Sequence, residues 1–358
     1  MNQRNNRFKS FIALSSVATL IMGLAFTGEA GASAAATYKI GVSNSWAGNA
    51  WREEMVCAIK AEATLSGQVA SVLVASRNTD AAGQSSDIKG LADQGVNAII
   101  VNSGDTVQNN VAIQYAQDKG VKVVAVDNSV TAPGTTFVAN DQVKYGAVGA
   151  EALAKAMHYK GRVLYMRGAS GAGADTDRDK GFKAVMAKYP NMKIGKEVFT
   201  NWDWAKGGEL ANQLLVPGKF QGVWTSGIDY PVVNAMKIRL KGKYIPLVGA
   251  DNNEFVRQTI ELASKGFVGI VVANPAVVGG YALRIALNLL DGKTVAASNL
   301  LNPAAWTMKS NARDIQSHYY KDQEPAFSSS TSIPGKTTFT AAQLFRCRAP
   351  QDSPETTS

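Results

Sequence analysis

Asparagine, aspartate, arginine and tryptophan gather at seven points of the chain. The first is Ser43-Asn44-Ser45-Trp46-Ala47-Gly48-Asn49-Ala50-Trp51-Arg52. The others are Asp127-Asn128, the stretch from Arg167 to Arg178, Asn201-Trp202-Asp203-Trp204, Ser226-Gly227-Ile228-Asp229, Asp251-Asn252-Asn253, and Asn274. Asp accepts hydrogen bonds, Arg donates them in a fixed fork, and Asn does both. A tryptophan on a loop is costly unless it covers something. Trp46, Trp51, Trp202, Trp204 and Trp224 all lie at or beside these points. Indole faces alternating with donors and acceptors suit a sugar, whose C–H face stacks on an aromatic ring while its hydroxyls hydrogen-bond.

The segments between these points alternate strand and helix. Tyr38–Ser43, Val69–Ala75, Val96–Val101 and Val121–Val126 read as strands, and the last is almost wholly apolar, as a strand covered on both faces should be. Between them, residues 50–66, 80–94 and 106–119 have helical spacing, with Gly95 and Gly120 as C-terminal stops. The pattern restarts with a helix over 145–158 and continues through a strand at 268–272 and a long helix over 275–290. Alternation of this kind predicts an α/β fold of parallel sheets. The number of units suits two doubly wound lobes, with a closed eight-stranded barrel as the alternative. In open parallel sheets ligands bind beyond the carboxyl ends of the strands, and the seven clusters fall there. Beyond Leu290 the periodicity fails. Residues 302–358 read as a polar wrap with Trp306 and Phe345 as apolar anchors and a disordered end from Ala349.

The N-terminus has Arg4, Arg7 and Lys9, an apolar run from Phe11 to Phe26, and the small residues Gly31-Ala-Ser-Ala34-Ala-Ala36. This is the pattern of an export signal over 1–36, cleaved after Ala34 or Ala36, and the run is short for a membrane anchor. The net charge of +9 comes from scattered Lys and Arg with no basic helix or arm, so it reads as surface character and not as a nucleic-acid site. With two His and two Cys there is no material for a cysteine-rich metal centre, and no metal or cofactor is expected. Gly168-Ala-Ser170-Gly171 lacks the nucleophile-elbow spacing, and Asp175, Asp177 and Asp179 lack the Gly and Glu of a calcium loop. Neither His158 nor His318 falls at a strand edge, so no enzyme is expected. Cys57 and Cys347 are an even pair in an oxidising compartment, and a disulfide between them is expected, the alternative being two separate thiols.

The motifs Ile40-Gly-Val-Ser-Asn-Ser-Trp-Ala-Gly-Asn49-Ala-Trp51-Arg52, Val124-Ala-Val-Asp127, Asp177-Arg178-Asp-Lys-Gly181-Phe182 and Val248-Gly-Ala-Asp251 occur in an order that resembles the periplasmic sugar-binding proteins of ribose/galactose type, which serve ABC importers. The resemblance runs from about Tyr38 to Leu301. The segment from Pro334 to Cys347 is similar to a subgroup whose last helix carries a Cys. The resemblance implies a type I periplasmic binding protein with two lobes, 37–140 plus 275–301 and 141–273, joined by a three-strand hinge near Asn140-Asp141, Ala273-Asn274 and Leu301. It implies that Asn49 holds a sugar hydroxyl, that Trp51 and Trp202 stack on the ring, and that Asp127, Arg178, Asp251 and Asn274 complete the contacts. Asn44 and Asp229 stand at the same edges. Arg52 stands where ribose binders carry an aromatic, and Asn128 where they carry Arg, which leaves pentose, hexose or polyol open. The protein is expected to work as a periplasmic monomer that delivers its ligand unchanged to ABC permease subunits. The alternative is a chemoreceptor or signalling-furanose component using the same cleft. A lactose-repressor-type regulator has the same module but needs a DNA-binding element where this chain has its leader.

Overall fold

Short apolar runs become strands here wherever helices cover both of their faces. The computed structural model describes residues 37–347. In chain order the first half contains β1 (Tyr38–Asn44), α1 (Ala50–Ser66), β2 (Val69–Ser76), α2 (Ala81–Asp93), β3 (Ala98–Asn102), α3 (Asn110–Asp118), β4 (Lys122–Val126) and β5 (Thr136–Asn140). Next come α4 (Gln142–Ala156), β6 (Gly161–Arg167), α5 (Gly173–Met186), β7 (Met192–Phe199), α6 (Trp204–Leu214), β8 (Gly222–Thr225), α7 (Tyr230–Arg239), β9 (Leu247–Ala250), α8 (Asn253–Glu261) and β10 (Gly269–Val272). The chain continues through α9 (Val278–Leu290), β11 (Ser298–Leu301), β12 (Ala305–Trp306), α10 (Met308–Ser317), β13 (Ser332–Ile333), β14 (Thr337–Thr338) and α11 (Ala341–Arg346). The leader expected over 1–36, the end expected from Ala349 and the side chain of Phe345 lie outside the described residues. Among the described residues no helix is long and apolar enough to cross a membrane.

Two open six-stranded sheets result, which excludes the closed barrel. The first has the order β11-β5-β4-β3-β1-β2 and is parallel throughout. The second has the order β12-β10-β9-β8-β6-β7 and is parallel except for β12, which runs antiparallel to β10. Side-chain alternation divides each core in two. Ile40, Val42, Ile100 and Val124 face α1 and α9, whereas Ile99, Val101 and Val123 face α2 and α3. In the second sheet Leu164, Met166 and Val223 face α6 to α8, and Val163, Tyr165 and Trp224 face α4 and α5. Trp224 is therefore core, fully buried against Tyr165 and Phe182.

Polar residues at the strand ends start the helices. Asn49, Asp80, Asp141 and Asp203 accept the backbone N–H three residues on, each satisfying an otherwise orphaned donor. Gly95 and Gly120 follow α2 and α3 at positive φ, as expected of helix stops. Two of the helix starts that differ from the sequence reading have a capping residue as their cause. α3 begins at Asn110 because Asp105 caps the turn at Val107 and Gln108 instead. α4 begins at Gln142 because Asp141 is its cap.

The chain passes between the sheets after β5, after β10 and after β11. These passages are tied together: Asp141 N donates to Leu301 O at 2.8 Å, Asn140 Nδ2 to Pro275 O at 3.3 Å, and Ala273 N to Ala304 O at 2.8 Å. The tail adds a fourth passage, wraps both sheets and buries more apolar residues than the expected anchor Trp306. β12 joins the second sheet, with Trp306 against its core, and Ile315 of α10 is buried there. The chain then returns, burying Phe327, Ile333, Phe339 and Leu344 in the core of the first sheet. At the crossing point Ser328 N donates to Glu54 of α1, while Asn253 N donates to Phe327 O and Ser329 N to Asp251 O. α11 lies against α1, so Cys347 follows a helix packed on the one that carries buried Cys57.

α4 and α5 touch through glycine. A Cβ on Gly181 would lie 1.9 Å from Val143 O, and one on Gly146 would lie 2.0 Å from Arg178 O. Gly181→Ala should therefore destabilise the protein by about 2 kcal/mol, the scale of an overpacked contact, in urea denaturation. An unchanged midpoint would contradict this close approach.

Candidate functional site

The carboxyl ends of both sheets border one cavity of about 520 Å³. From the first sheet come the turn after β1, with Trp46 and Asn49, the first turn of α1, with Trp51 and Arg52, and the turn after β4, with Asp127 and Asn128. From the second come Asn201 to Trp204 after β7, Ser226 to Ile228 after β8, and Ala250 and Asn252 around the end of β9. Arg178 reaches in from α5, Asn274 lies on the second passage, and Ala326 comes from the tail strap.

Each polar group is held by others behind it. Arg52 is 5% exposed; it donates to Asn44 Oδ1 at 2.9 Å and lies 4.6 Å over the Trp46 ring. Arg178, also 5% exposed, donates to Gln142 Oε1 at 2.8 Å, to Ser226 O at 3.0 Å and to Ser226 Oγ at 3.1 Å. Its guanidinium carbon sits 4.1 Å from the centre of the Tyr145 ring. Asp127 feels the charge of both cations and makes no ion pair within 4.0 Å among the described residues. Asn128 donates to Asn102 Oδ1 and Ser103 O, leaving its buried Oδ1 without a protein donor.

The aromatic walls are fixed too. Trp51 Nε1 donates to Asn274 O at 2.7 Å, and Trp202 Nε1 to Ser226 O at 2.8 Å. Trp202 packs closely on Gly168, where a Cβ would lie 2.3 Å from the ring. Trp204 stacks on Tyr230 with ring centres 4.4 Å apart. Asp127, Asn201 and Trp202 have φ of 63°, 58° and 54°, a left-handed backbone that Asp and Asn adopt readily but that is strained for the bulky Trp202.

Residues 40–294 match the family described as periplasmic binding protein domain. The chain belongs to that family. It is 27% identical over 260 residues to the ribose import binding protein of Bacillus subtilis (strain 168), covering 72% of this chain and 83% of that one. It is 27% identical over 227 residues to the xylitol-binding protein of Mycolicibacterium smegmatis, covering 62% and 64%. Its fold matches the binding component of the arabinose ABC transporter from Shewanella sp. ANA-3, bound to α- and β-L-arabinofuranose, with a TM-score of 0.70, 24% identity and coverage of 78% and 94%.

In this periplasmic binding protein, Asn49, Trp51, Arg52, Asp127, Asn128, Arg178, Trp202 and Asn274 line the cavity. Three other residues expected at the site do not. Asn44 is 1% exposed and holds Arg52 from behind. Asp229 is fully buried and accepts from Tyr230 N, Ala250 N and Asn252 Nδ2 at 2.7 to 2.9 Å. Asp251 is 1% exposed and accepts from Asn274 N at 3.0 Å. These carboxyl groups brace the wall residues Ala250, Asn252 and Asn274 through those bonds. Trp46, Asn201, Asp203, Trp204, Ser226 and Asn252 belong to the wall as well. All lie in the clusters read from the sequence, although none was singled out as a contact. Among the described residues no group of three or more metal-ligating side chains occurs.

Burial sets the electrostatics. It pulls the Arg52 guanidinium down to about 10, against the upward pull of Asp127. Burial raises Asp127, with Arg52 and Arg178 opposing, and raises Asp251. Burial also pushes Asp229 up to about 8, despite its three donors. The native state then keeps a proton at Asp229 that the unfolded chain has released above pH ~4. The stability contributed by Asp229 should be full at low pH and decline as pH rises toward 8. Urea denaturation from pH 5 to 8 should show that decline, and Asp229→Asn should flatten it. Parallel profiles for the two proteins would contradict the assignment.

Proposed function

We propose that this periplasmic binding protein captures a small sugar or polyol between its two sheets and passes it, unaltered, to the permease of an ABC importer. The observation that carries the reading is one cavity walled by four half-buried tryptophans and by two buried guanidinium groups with donors to spare. Indole faces take the C–H surface of a polyol, and Arg and Asn side chains take its hydroxyls. A hydrogen bond to a charged group in such a site contributes roughly 1.5–3 kcal/mol. The ribose and xylitol binders named above bind guests of this class.

The proposed lobes are 37–140 plus 275–301 and 141–273, hinged at the passages between the sheets, with the tail after 301 bridging both. A guest touching both lobes favours the closed form, because only that form makes both sets of contacts. The permease reads the closed shape. Export through the 1–36 leader and action as a monomer complete the proposal.

A thermal-shift screen of sugars and polyols should raise the melting temperature for a subset of them. With the best of these, Arg178→Ala and Trp202→Ala should each weaken calorimetric affinity at least about tenfold. Wild-type affinity in both variants would remove the assignment.

The Cys57–Cys347 disulfide belongs to the same proposal and would pin the returning tail to α1. Non-reducing peptide mapping of exported protein should recover the two cysteine peptides joined. Separate alkylated peptides would contradict it.

A further inference from the structure

Gln142 does not line the cavity, yet it touches three residues that do. It is the first residue of α4, directly after the first passage between the sheets, and is 5% exposed. Just before it, the Asn140 side chain donates to Pro275 O and the Asp141 backbone N–H to Leu301 O, both in the other passages. Its Nε2 donates to Asp127 Oδ1 and to Asn274 Oδ1, both at 3.3 Å, and its Oε1 accepts from Arg178 Nε at 2.8 Å. The partners fix the orientation of the amide, since only the oxygen can face a guanidinium and only the NH₂ can face two oxygens. One planar group thus joins a carboxylate of the first sheet, the second passage and a guanidinium of the second sheet.

We propose that Gln142 is a positioning residue that fixes Asp127, Asn274 and Arg178 relative to one another, so that contacts on the two sides of the cleft form together. Its effect on binding rests on the reading of the cavity as a sugar or polyol site. Its effect on Asp127 does not. Leu at this position has similar bulk and no polar atom, so all three partners lose a bond. Glu can still accept from Arg178 but sets a carboxylate against Asp127. Arg52 is the other charged group that faces Asp127.

Two measurements test the proposal. In ligand-free protein, ¹³C NMR titration of the Asp127 carboxyl should move up by at least about half a pH unit in Gln142→Leu, because a donor to the ionised form is gone. An unmoved titration overturns the proposal. With the best polyol of the thermal screen, Gln142→Leu should weaken affinity about tenfold or more. Gln142→Glu should bind markedly better at pH 5 than at pH 8, because its protonated carboxyl regains a donor. Equal affinities and parallel pH profiles in the three proteins also overturn it. If the wild type binds no member of the panel, the sugar reading fails, and the Asp127 titration alone decides the role of Gln142.

Discussion

Two guanidinium groups, those of Arg52 and Arg178, are buried in this protein with no carboxylate among the described residues in ion-pairing range. Burying an unpaired charge is costly, and the usual remedy is an acid at contact distance. Arg52 and Arg178 are instead solvated by Asn44, Gln142 and Ser226, with the Trp46 and Tyr145 rings against their faces. Cation–π contact of this kind contributes on the order of 1 kcal/mol. Asp127 feels both cations and balances part of their field from a distance. A direct ion pair would consume the donors that a polyol needs. Neutral acceptors hold each fork in place and leave part of it open to the cavity.

The remaining structure keeps that arrangement from relaxing. The left-handed backbone at Trp202 stores strain of order 1–3 kcal/mol, and Trp202 lines the cavity beside Asp127 and Asn201, which share that conformation. Gly168 lets Trp202 pack closely, and Gly146 and Gly181 bring α4 against α5, which carries Arg178. The tail strap bonds to α1 through Ser328 and to the segment after β9 through Asn253 and Ser329. A wall assembled in advance loses less entropy when a guest arrives.

The strand–helix alternation and the location of the cleft were legible because both follow from local signals. Buried parallel strands are apolar runs, and the turns after them carry polar residues. Which polar residue faces the ligand was not legible. Asn and Asp at a strand end serve equally well as helix caps, braces or contacts. Asn49 both caps α1 and lines the cavity, Asp203 caps α6 at the rim, and Asp229 and Asp251 brace from behind. A one-residue offset on a turn reverses a side chain's direction, and no periodicity reports it. Gln142 was missed because the Asp141 cap was not read, which placed the start of α4 three residues late. The tail's further anchors were missed because Ile315, Phe327, Ile333 and Phe339 are buried singly and follow no helical or strand period.

The central claim is that the buried guanidinium groups and the indole walls close on one polyhydroxylated guest. A crystal structure of the protein saturated with its best polyol tests it most directly. The account predicts electron density for an unmodified guest between Trp51 and Trp202, hydrogen-bonded to both Arg52 and Arg178. Guest density elsewhere on the molecule, with only water around the two arginines, would contradict it.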